Sequence, residues 1–411
     1  MKKLKIKYYT VDGWNNSGGR SNNIWGQVPT SNLPLKLINS AIKNGTKSCI
    51  WTCYDDVIYG KLDDNGMTRQ ITIDDLPKTI SATFKPTYSK YSAVAENMGM
   101  KIAVILDMPT SYNYIVKFEH INKKSGFKNI IKHLNERDLK NLQPYGIVSI
   151  DFLKPTNENV IIDKVYSGNK LISFEDSMRI ANLYFCGNTD EPFWVETWIK
   201  SLEKFIMEQK DVYMADCTHS NLCKQVKKVK SRIVRSYLLR EFLGDCDFTD
   251  RNCGFIFDTH TQQLQFAPNF DYGESFNALI KTKLDFLPPK EELEVILKWD
   301  KDFIKKKIEK SKIPVTEIAK RYSSSTSEKN LSYITENYKE DTKEFLDNLK
   351  DALTKDKFSN LINTYTKSTN NEAPMLSIND AEIFKKYIND RANWLIKTLN
   401  QSLNYSNYKE L

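Results

Sequence analysis

Hydrophobic residues in the first third of the chain fall in short runs rich in strand-forming residues, and in KLKIKYY polar and apolar residues alternate, a pattern typical of β-strands. The runs that predict strands are, in chain order, KLKIKYY, SCIWTCY, DVIYGKL, MTRQITI and TISATFKP. The text DDNG between the third and fourth runs predicts a tight turn. The spacing then changes: in YSAVAENMGMKIAVIL apolar residues lie three or four apart, which predicts a helix. This part of the chain is therefore predicted to be strand-rich, with a helix directly after the fifth strand.

A further apolar run at residues 146–153 is bounded by prolines and predicts one more strand. It follows a polar stretch at 127–141 that has helical spacing. Beyond it the pattern is helical, and the predicted helices cover 174–187, 193–209, 219–243 and much of the chain after Pro288. Polar breaks at 323–330 and 367–374 predict loops. We therefore place a domain boundary at the strand 146–153.

The composition indicates a folded protein with more than one core. At 411 residues the chain is longer than the usual size limit of a domain with one hydrophobic core, so two or three lobes are expected. Hydrophobic residues make up 40% and charged residues 27%, which excludes a chain that is mainly disordered. The net charge of +8 arises from 60 basic and 52 acidic residues that are interspersed. This mild basic bias is compatible with nucleotides, nucleic acid or acidic partners and selects none of them.

Cysteine usage and the N-terminal text favour the cytoplasm. The seven cysteines are scattered and form no CxxC pair, so free thiols are expected rather than disulfides or structural zinc. The four histidines do not fall at metal-ligand spacing. The start, MKKLKIKYYTVDGW, lacks the apolar segment of a signal peptide, and no run is apolar for long enough to span a bilayer. A cytoplasmic protein without a membrane partner is the expectation.

Two polar loops carry the residue types of a phosphoryl-transfer site. GDCDFTDRNCGFIFD at 244–258 leads into a predicted hairpin, and APNFDYGESF at 267–276 follows that hairpin. Asp247 and Asn252 have the D-x-x-x-x-N spacing of a kinase catalytic loop, and Asp271 precedes Tyr-Gly as a metal-binding Asp precedes Phe-Gly. Either motif alone also fits a solvated turn, so their combination carries the prediction. Asp247 is predicted to accept or orient a hydroxyl proton, and Asn252 and Asp271 to hold Mg²⁺ on the phosphates of ATP.

The same loops resemble the signature of HipA-like serine/threonine kinases, whose catalytic stretch runs G-N-x-D-x-H-x-x-N-F-G and whose metal-binding Asp follows in A-P-x-[FY]-D. The resemblance implies the same roles for the three residues just named, and Gly254 matches the glycine after the Asn. The chain departs from the pattern at Asp245, where the family has Asn, and at Thr249, where it often has His. Asp245, Asp250 and Arg251 are predicted to support the loop, with Arg251 either shielding charge or pairing with Asp250.

A kinase also needs a strand Lys that grips the phosphates and a helix Glu that holds this Lys in place. Lys85 closes the run TISATFKP and Glu96 lies in the next helix, and both positions resemble the family. We predict that they pair, although ordinary surface charge is the alternative. The strand YGIVSIDFL resembles the hinge that lines an adenine pocket, with Ile150, Asp151 and Phe152 facing the base. An ordinary core strand explains that run as well.

The predicted fold is α+β, with the two-lobed arrangement of a protein kinase. A β-rich N-terminal lobe covers 1–145, a hinge 146–155, and a mainly helical C-terminal lobe 156–411. The predicted reaction is ATP- and Mg²⁺-dependent transfer of the γ-phosphoryl group to a hydroxyl, and the resemblance implies Ser or Thr of a protein substrate. The phosphate-covering loop is not assigned, since 16–21 is Gly-rich but distant and 63–66 is acidic.

Two alternatives stay open. The departures at Asp245 and Thr249 fit a pseudokinase that binds nucleotide without transferring phosphate. A regulatory or toxin component is the other, because HipA-like proteins can pair with a DNA-binding antitoxin. Its candidate nucleic-acid surface is the set of basic residues Lys224, Lys227, Lys228, Lys230, Arg232 and Arg235. These residues also fit the solvated face of an amphipathic helix whose inner face is Val226, Val229, Ile233 and Leu238.

Overall fold

The chain divides into two compact units, each discontinuous in sequence. The computed structural model describes residues 24–29, 60–62, 68–70, 79–86, 90–111, 113–117, 145–150, 169–174, 177–178, 194–213, 219–245, 247–250, 252–258, 263–277, 279–280, 314–320, 325–367 and 374–408. Unit 1 comprises Met1–Leu171 and Phe255–Phe270, and unit 2 comprises Ile172–Gly254 and Asp271–Leu411. The described residues mix sheet with helix and are mostly helical. The two-lobed kinase arrangement and the lobe and hinge bounds stay predictions.

Unit 1 contains a four-stranded antiparallel sheet. The strands described in this part of the chain are β1 (Ile24–Pro29), β2 (Gly60–Leu62), β3 (Thr68–Gln70), β4 (Thr79–Pro86), β5 (Asn113–Lys117) and β6 (Tyr145–Ile150). The sheet has the order β1-β4-β6-β5, and every neighbouring pair is antiparallel. β2 and β3 form a separate antiparallel pair on either side of the predicted turn. Strand β4 is therefore an inner strand, and it ends at Lys85 and Pro86.

Helix α1 (Lys90–Ile105) follows β4 and is deeply buried. Met98 and Ile102, which the helical spacing singles out, are fully buried, as is Ile147 of β6. Hydrogen bonds supplement this apolar packing, because Asn97 Nδ2 donates to the Asn113 backbone oxygen of β5 at 2.9 Å. The helix is thereby attached to the sheet by both apolar and polar contacts.

A further sheet has three strands in the order β7-β8-β9, and its strands β8 and β9 lie between the two candidate loops in sequence. Its strands are β7 (Asn169–Ser173), β8 (Gly254–Asp258) and β9 (Gln263–Phe266), and β8 pairs with β9 as the predicted hairpin. After β9, Asn269 forms a parallel bridge with Thr110. Asn269 N–H donates to Pro109 O at 2.9 Å, and Ser111 N–H donates to Asn269 O at 2.8 Å. The chain is thus held in place two residues before Asp271.

The described part of unit 2 is mainly helical. Its helices are α2 (Trp194–Tyr213), α3 (His219–Leu243), α4 (Val315–Lys320), α5 (Ser325–Asn337), α6 (Lys339–Thr354), α7 (Lys357–Thr364) and α8 (Ile378–Tyr408). Helix α3 contacts α2, α5, α6 and α8, so it is central to the helical packing. Val229, Ile233 and Leu238 are buried on its inner face, as the pattern predicts. None of the described helices is both long enough and apolar enough to cross a membrane.

The loop predicted at 323–330 is wrong for most of its length, because α5 begins at Ser325. Ser325 is followed three residues later by Glu328, a spacing that favours a helix start. Leu331 and Ile334 on the same helix are buried. The polar segment therefore forms the N-terminus of a helix, and the buried apolar residues of that helix follow it in sequence.

Several predictions lie outside the described residues. They are the strands KLKIKYY and SCIWTCY, the helical stretch 127–141, most of 174–187, the candidate phosphate-covering loops 16–21 and 63–66, the hairpin turn at 259–262, Asp151, Phe152 and Arg251.

Candidate functional site

Helix α3 ends in a Schellman motif that opens the first candidate loop. Gly244 has a φ of 63°, in the left-handed region that glycine adopts without a steric penalty. Gly244 N–H donates to Glu241 O at 3.2 Å, and Asp245 N–H donates to Arg240 O at 3.1 Å. The reversed chain ends the helix and brings Asp245 against the side chain of Arg240.

Asp247 and Asn252 are in direct contact across the loop. Asn252 Nδ2 donates to the Asp247 backbone oxygen at 2.7 Å and to Asp247 Oδ2 at 3.1 Å. Thr249 N–H donates to Asp247 O at 2.9 Å, and Thr249 O accepts from Asn252 N–H at 3.0 Å. The Asp247 side chain is exposed, so it reaches solvent in an orientation that Asn252 restrains. Because Thr249 takes part through its backbone, the departure at this position leaves these bonds unchanged.

An aromatic cluster anchors the loop from beneath. Phe248 is buried and meets the ring of Trp198 edge-on at 5.4 Å between centroids. Trp198 in turn stacks on Phe174 at 5.2 Å. The buried Phe248 thus anchors the loop in the interior directly beside the exposed Asp247.

The end of the loop leaves no room for a side chain at Gly254. A Cβ at this position would lie 2.2 Å from Ile172 O and 2.9 Å from Ser173 Cα, closer than any real Cβ contact. The preceding Cys253 is buried, and its Sγ donates to Thr249 O at 3.1 Å. Burial, with the negative charge of Asp250, raises the pKa of the Cys253 thiol well above its ordinary value. Cys253 therefore acts as a packed, protonated group rather than as a nucleophile.

Asp271 adopts a left-handed backbone conformation, with a φ of 61°. For a residue other than glycine this conformation costs about 1–2 kcal/mol, and it persists where surrounding contacts hold it. Here Arg240 Nη1 donates to Asp271 O at 3.0 Å, and the guanidinium lies 4.1 Å from the ring centroid of Tyr272. The backbone of the predicted metal ligand is thus held by a side chain from helix α3.

Arg240 and Asp245 form a fully buried ion pair between the two candidate loops, with side chains 2% and 0% exposed. Asp245 Oδ2 also accepts from Ser275 Oγ at 3.2 Å, and Asp245 Oδ1 accepts from Asp247 N–H at 3.0 Å. Burial opposes the charge on Arg240, but the adjacent Asp245 carboxylate outweighs it and raises the pKa of Arg240 above its ordinary value. The Arg240 guanidinium is therefore charged at neutral pH.

Arg240 belongs to none of the motifs that predict the site. The available signal was its position in SYLLREFL, where one Arg interrupts an apolar helical run, because a buried Arg requires a partner. Asp245 was predicted as a support of the loop, and it accepts hydrogen bonds from three residues. The second predicted support, Asp250, is half-buried, and the third, Arg251, lies outside the described residues.

The donor atoms of Asn252 and Asp271 fit a hard cation. Both hydrogen bonds of the Asn252 amide are donated by Nδ2, so its oxygen is the atom suited to bind a cation. With the Asp271 carboxylate this makes an oxygen-only set, the type that Mg²⁺ prefers when phosphates and waters complete its shell. Among the described residues, no group of three or more His, Cys, Asp or Glu could hold a metal. Binding of Mg²⁺ by Asn252 and Asp271 stays a prediction.

Lys85 and Glu96 form an ion pair within unit 1, with Lys85 Nζ 3.2 Å from Glu96 Oε2. The Glu96 carboxylate is 4% exposed and the Lys85 side chain 20% exposed. Ile150, predicted to line the adenine pocket, is the last residue of β6 and pairs with Ala82 of β4. The nucleotide-binding roles of Lys85, Glu96 and Ile150 stay predictions.

The basic residues of helix α3 do not form one continuous exposed face. Arg235 is buried and its Nη1 lies 2.6 Å from Glu344 Oε1. Lys230 is half-buried and pairs with Glu203. The exposed members of the set are Lys224, Lys227 and Lys228. Part of the predicted nucleic-acid surface therefore serves contacts between helices.

Comparisons with known proteins include a distant structural neighbour. No protein-family model matches the chain, and no curated protein matches it in sequence. A crystal structure of a Helicobacter pylori proinflammatory kinase, CtkA, aligns with a TM-score of 0.38 at 11% sequence identity. The alignment covers 86% of this chain and 98% of that chain. A similarity of this size assigns neither a family nor an activity.

Proposed function

We propose that this protein is a phosphotransferase that moves the γ-phosphoryl group of ATP to a hydroxyl, with Ser or Thr of a protein as the acceptor. Asp247 would accept or orient the hydroxyl proton, and Asn252 and Asp271 would hold Mg²⁺. Lys85, positioned by Glu96, would bind phosphate oxygens. These assignments combine the geometry of each group of residues with the resemblance of the two loops to HipA-like kinases.

The observation that carries the proposal is the Lys85–Glu96 pair. Glu96 is a buried carboxylate in a helix whose other buried residues are almost all uncharged, and it reaches the Lys that closes an inner strand. A buried ion pair adds little stability over an apolar pair of similar volume. Its value lies in fixing an ammonium at a defined position, which is the requirement for a phosphate-binding Lys in kinases.

The arrangement around Asp247 suits proton transfer in this reaction. The bond from the γ-phosphorus to the ADP oxygen breaks, a bond to the acceptor oxygen forms, and the acceptor proton passes to the Asp247 carboxylate. Asn252 restrains that carboxylate through Oδ2, and the exposed Asp247 leaves access for a bulky acceptor. Bound Mg²⁺ supplies positive charge that neutralises the phosphate oxygens.

The proposal is tested by incubating the purified chain with γ-labelled ATP, Mg²⁺ and casein as a general Ser/Thr acceptor. The wild type is expected to label itself or casein, and Asp247→Asn and Asp271→Asn are expected to reduce labelling by about 100-fold or more. Asp347→Asn, an exposed change on helix α6, is the matched control and should keep full labelling. Mass spectrometry of the labelled product identifies the acceptor.

Two results would contradict the catalytic assignment. Labelling that persists in Asp247→Asn shows that another group acts on the acceptor proton. Nucleotide binding without labelling in the wild type favours the pseudokinase alternative. Salt-dependent DNA binding by the chain alone, lost when Lys224, Lys227 and Lys228 are changed together, would instead support the nucleic-acid alternative.

A further inference from the structure

Arg240 contacts both loops that carry the proposed site. From the C-terminal turn of α3 its guanidinium pairs with Asp245 of the first loop and donates to Asp271 O of the second at 3.0 Å. It also lies over the rings of Phe248, at 4.9 Å, and Tyr272, at 4.1 Å. One rigid, planar cation therefore contacts the residue after Asp247 and the residue after Asp271.

The contact on the second loop acts on backbone conformation. Asp271 has a left-handed φ of 61°, and the direction of its carboxylate depends on that conformation. The hydrogen bond from Arg240 is made to the Asp271 backbone oxygen, so it acts on the backbone that sets the direction of the carboxylate. Loss of this bond allows the backbone to relax toward negative φ, which turns the carboxylate away from its present direction.

The contact on the first loop is relayed through Asp245. Its carboxylate accepts from Asp247 N–H at 3.0 Å and from Ser275 Oγ at 3.2 Å while it pairs with Arg240. Ser275 belongs to the chain just after Asp271, so Asp245 also links the two loops directly. Removing the positive charge of Arg240 would leave this carboxylate buried and without its cation, and its hydrogen bonds to Asp247 and Ser275 would rearrange.

We infer that the buried Arg240–Asp245 pair is a positioning device for the proposed reaction, which sets the Mg²⁺-binding carboxylate of Asp271 relative to Asp247. The inference rests on the proposed function and assigns Arg240 no contact with substrate. An apolar residue of equal volume would fill the space but could not donate to the Asp271 oxygen. A Lys keeps the charge but lacks the planar guanidinium that lies over the rings of Phe248 and Tyr272 while Nη1 donates to both acceptors.

The test separates positioning from mere stability by measuring nucleotide affinity with and without metal. A fluorescent ATP analogue is titrated into the wild type, Arg240→Lys and Asp245→Asn, once with Mg²⁺ and once with EDTA. The wild type is expected to bind more tightly with Mg²⁺. In both variants this gain should fall about 10-fold or more, the usual effect of changing a group that supports a metal ligand. Affinity in EDTA should change less than about two-fold.

Arg235→Lys is the matched control, because Arg235 is also a buried Arg of helix α3 but pairs with Glu344. It should keep the full Mg²⁺ gain even if its melting temperature falls. Thermal unfolding is recorded for every variant, and Asp245→Asn keeps the test decisive if Arg240→Lys does not fold.

The outcomes are distinguishable. A wild type whose nucleotide affinity is unaffected by Mg²⁺ overturns the proposed function and this inference with it. A wild type with a clear Mg²⁺ gain that both variants retain overturns the inference alone. Equal losses with Mg²⁺ and with EDTA also overturn it, since they indicate a general effect on folding.

Discussion

Arg391 shows how this protein accommodates a charge in its interior. Its side chain is fully buried, and it donates to Glu241 O from Nε at 2.8 Å and from Nη2 at 2.5 Å. Nη1 donates to Ala319 O at 2.8 Å, and the guanidinium lies 4.1 Å from the ring centroid of Trp394. Backbone oxygens at helix ends lack partners within the helix, so a buried Arg stabilises both itself and those ends.

Lys101 in helix α1 is a second charge that burial affects. Burial lowers the pKa of Lys101 from 10.5 to about 8. Below that pH the folded state carries a buried ammonium, whereas the unfolded chain holds the same proton until about pH 10.5. Between these two pH values the unfolded state binds more protons, so stability should rise with pH.

Lys101→Met is therefore expected to raise the free energy of unfolding at pH 7 by about 3 kcal/mol, because the pKa falls from 10.5 to about 8 and each tenfold change in proton affinity corresponds to about 1.4 kcal/mol. The advantage should shrink as the pH rises from 8 toward 10.5. Urea denaturation at pH 7 and pH 9.5 measures it, with Lys90→Met at the start of the same helix as control. A gain that is equal at the two pH values would show that packing, rather than proton binding, is responsible.

At the scale of elements, helix α3 is the structure on which the candidate site depends. Its inner face packs against neighbouring helices, Arg240 comes from its last turn, and its end at Leu243 starts the Asp247 loop. Phe276 N–H, from the chain after Asp271, donates to Leu243 O at 2.9 Å. The end of one helix therefore fixes the start of one loop and the continuation of the other.

Gly244→Ala is expected to destabilise the protein by about 1–2 kcal/mol, because an Ala must take the left-handed conformation at the Schellman turn. Gly244→Asn should cost less, since Asn tolerates that conformation better. The two variants are compared with the wild type by urea denaturation. Equal losses for Ala and Asn would indicate that added volume, and not φ, is the cause.

At the scale of the whole molecule, neither unit is one continuous segment. The chain leaves unit 1 after Leu171 and returns to it for Phe255–Phe270. That returning segment contains β9 and Asn269, whose side chain and backbone bond with residues 109–111. Unit 1 therefore depends on residues that are distant in sequence.

A fragment of residues 1–171 is accordingly expected to lack a cooperative thermal transition, since it lacks Asn269, which donates to Pro109 O and accepts from Ser111 N–H. Circular dichroism and amide hydrogen exchange of the fragment, compared with the full chain, measure this. Asn269→Ala in the full chain removes only the side-chain contact, so this variant should remain folded with a lower melting temperature than the wild type. A fragment that melts cooperatively would contradict the predicted dependence.

Local pattern was sufficient for features that depend on neighbouring residues. Period-two and helical spacings correctly predicted β4, the β8–β9 hairpin, helix α1 and helix α3, because one buried face imposes its period on the sequence. The D-x-x-x-x-N motif pairs Asp247 with Asn252, and the two side chains are in contact. The loop predicted at 323–330 failed because polar residues serve helix starts as well as linkers.

Only the tertiary structure revealed what holds the two candidate loops. Arg240 reaches Asp271 from a distant part of the sequence, and Asp245 bonds with Ser275 across a similar separation. No period or motif encodes such contacts, because they depend on where helix α3 ends relative to the chain after β9. The sequence alone indicated which residues have the chemistry for phosphoryl transfer. The packing around helix α3 decided which buried charge pair supports them, because a charge is stable in the interior only where folding brings its partner.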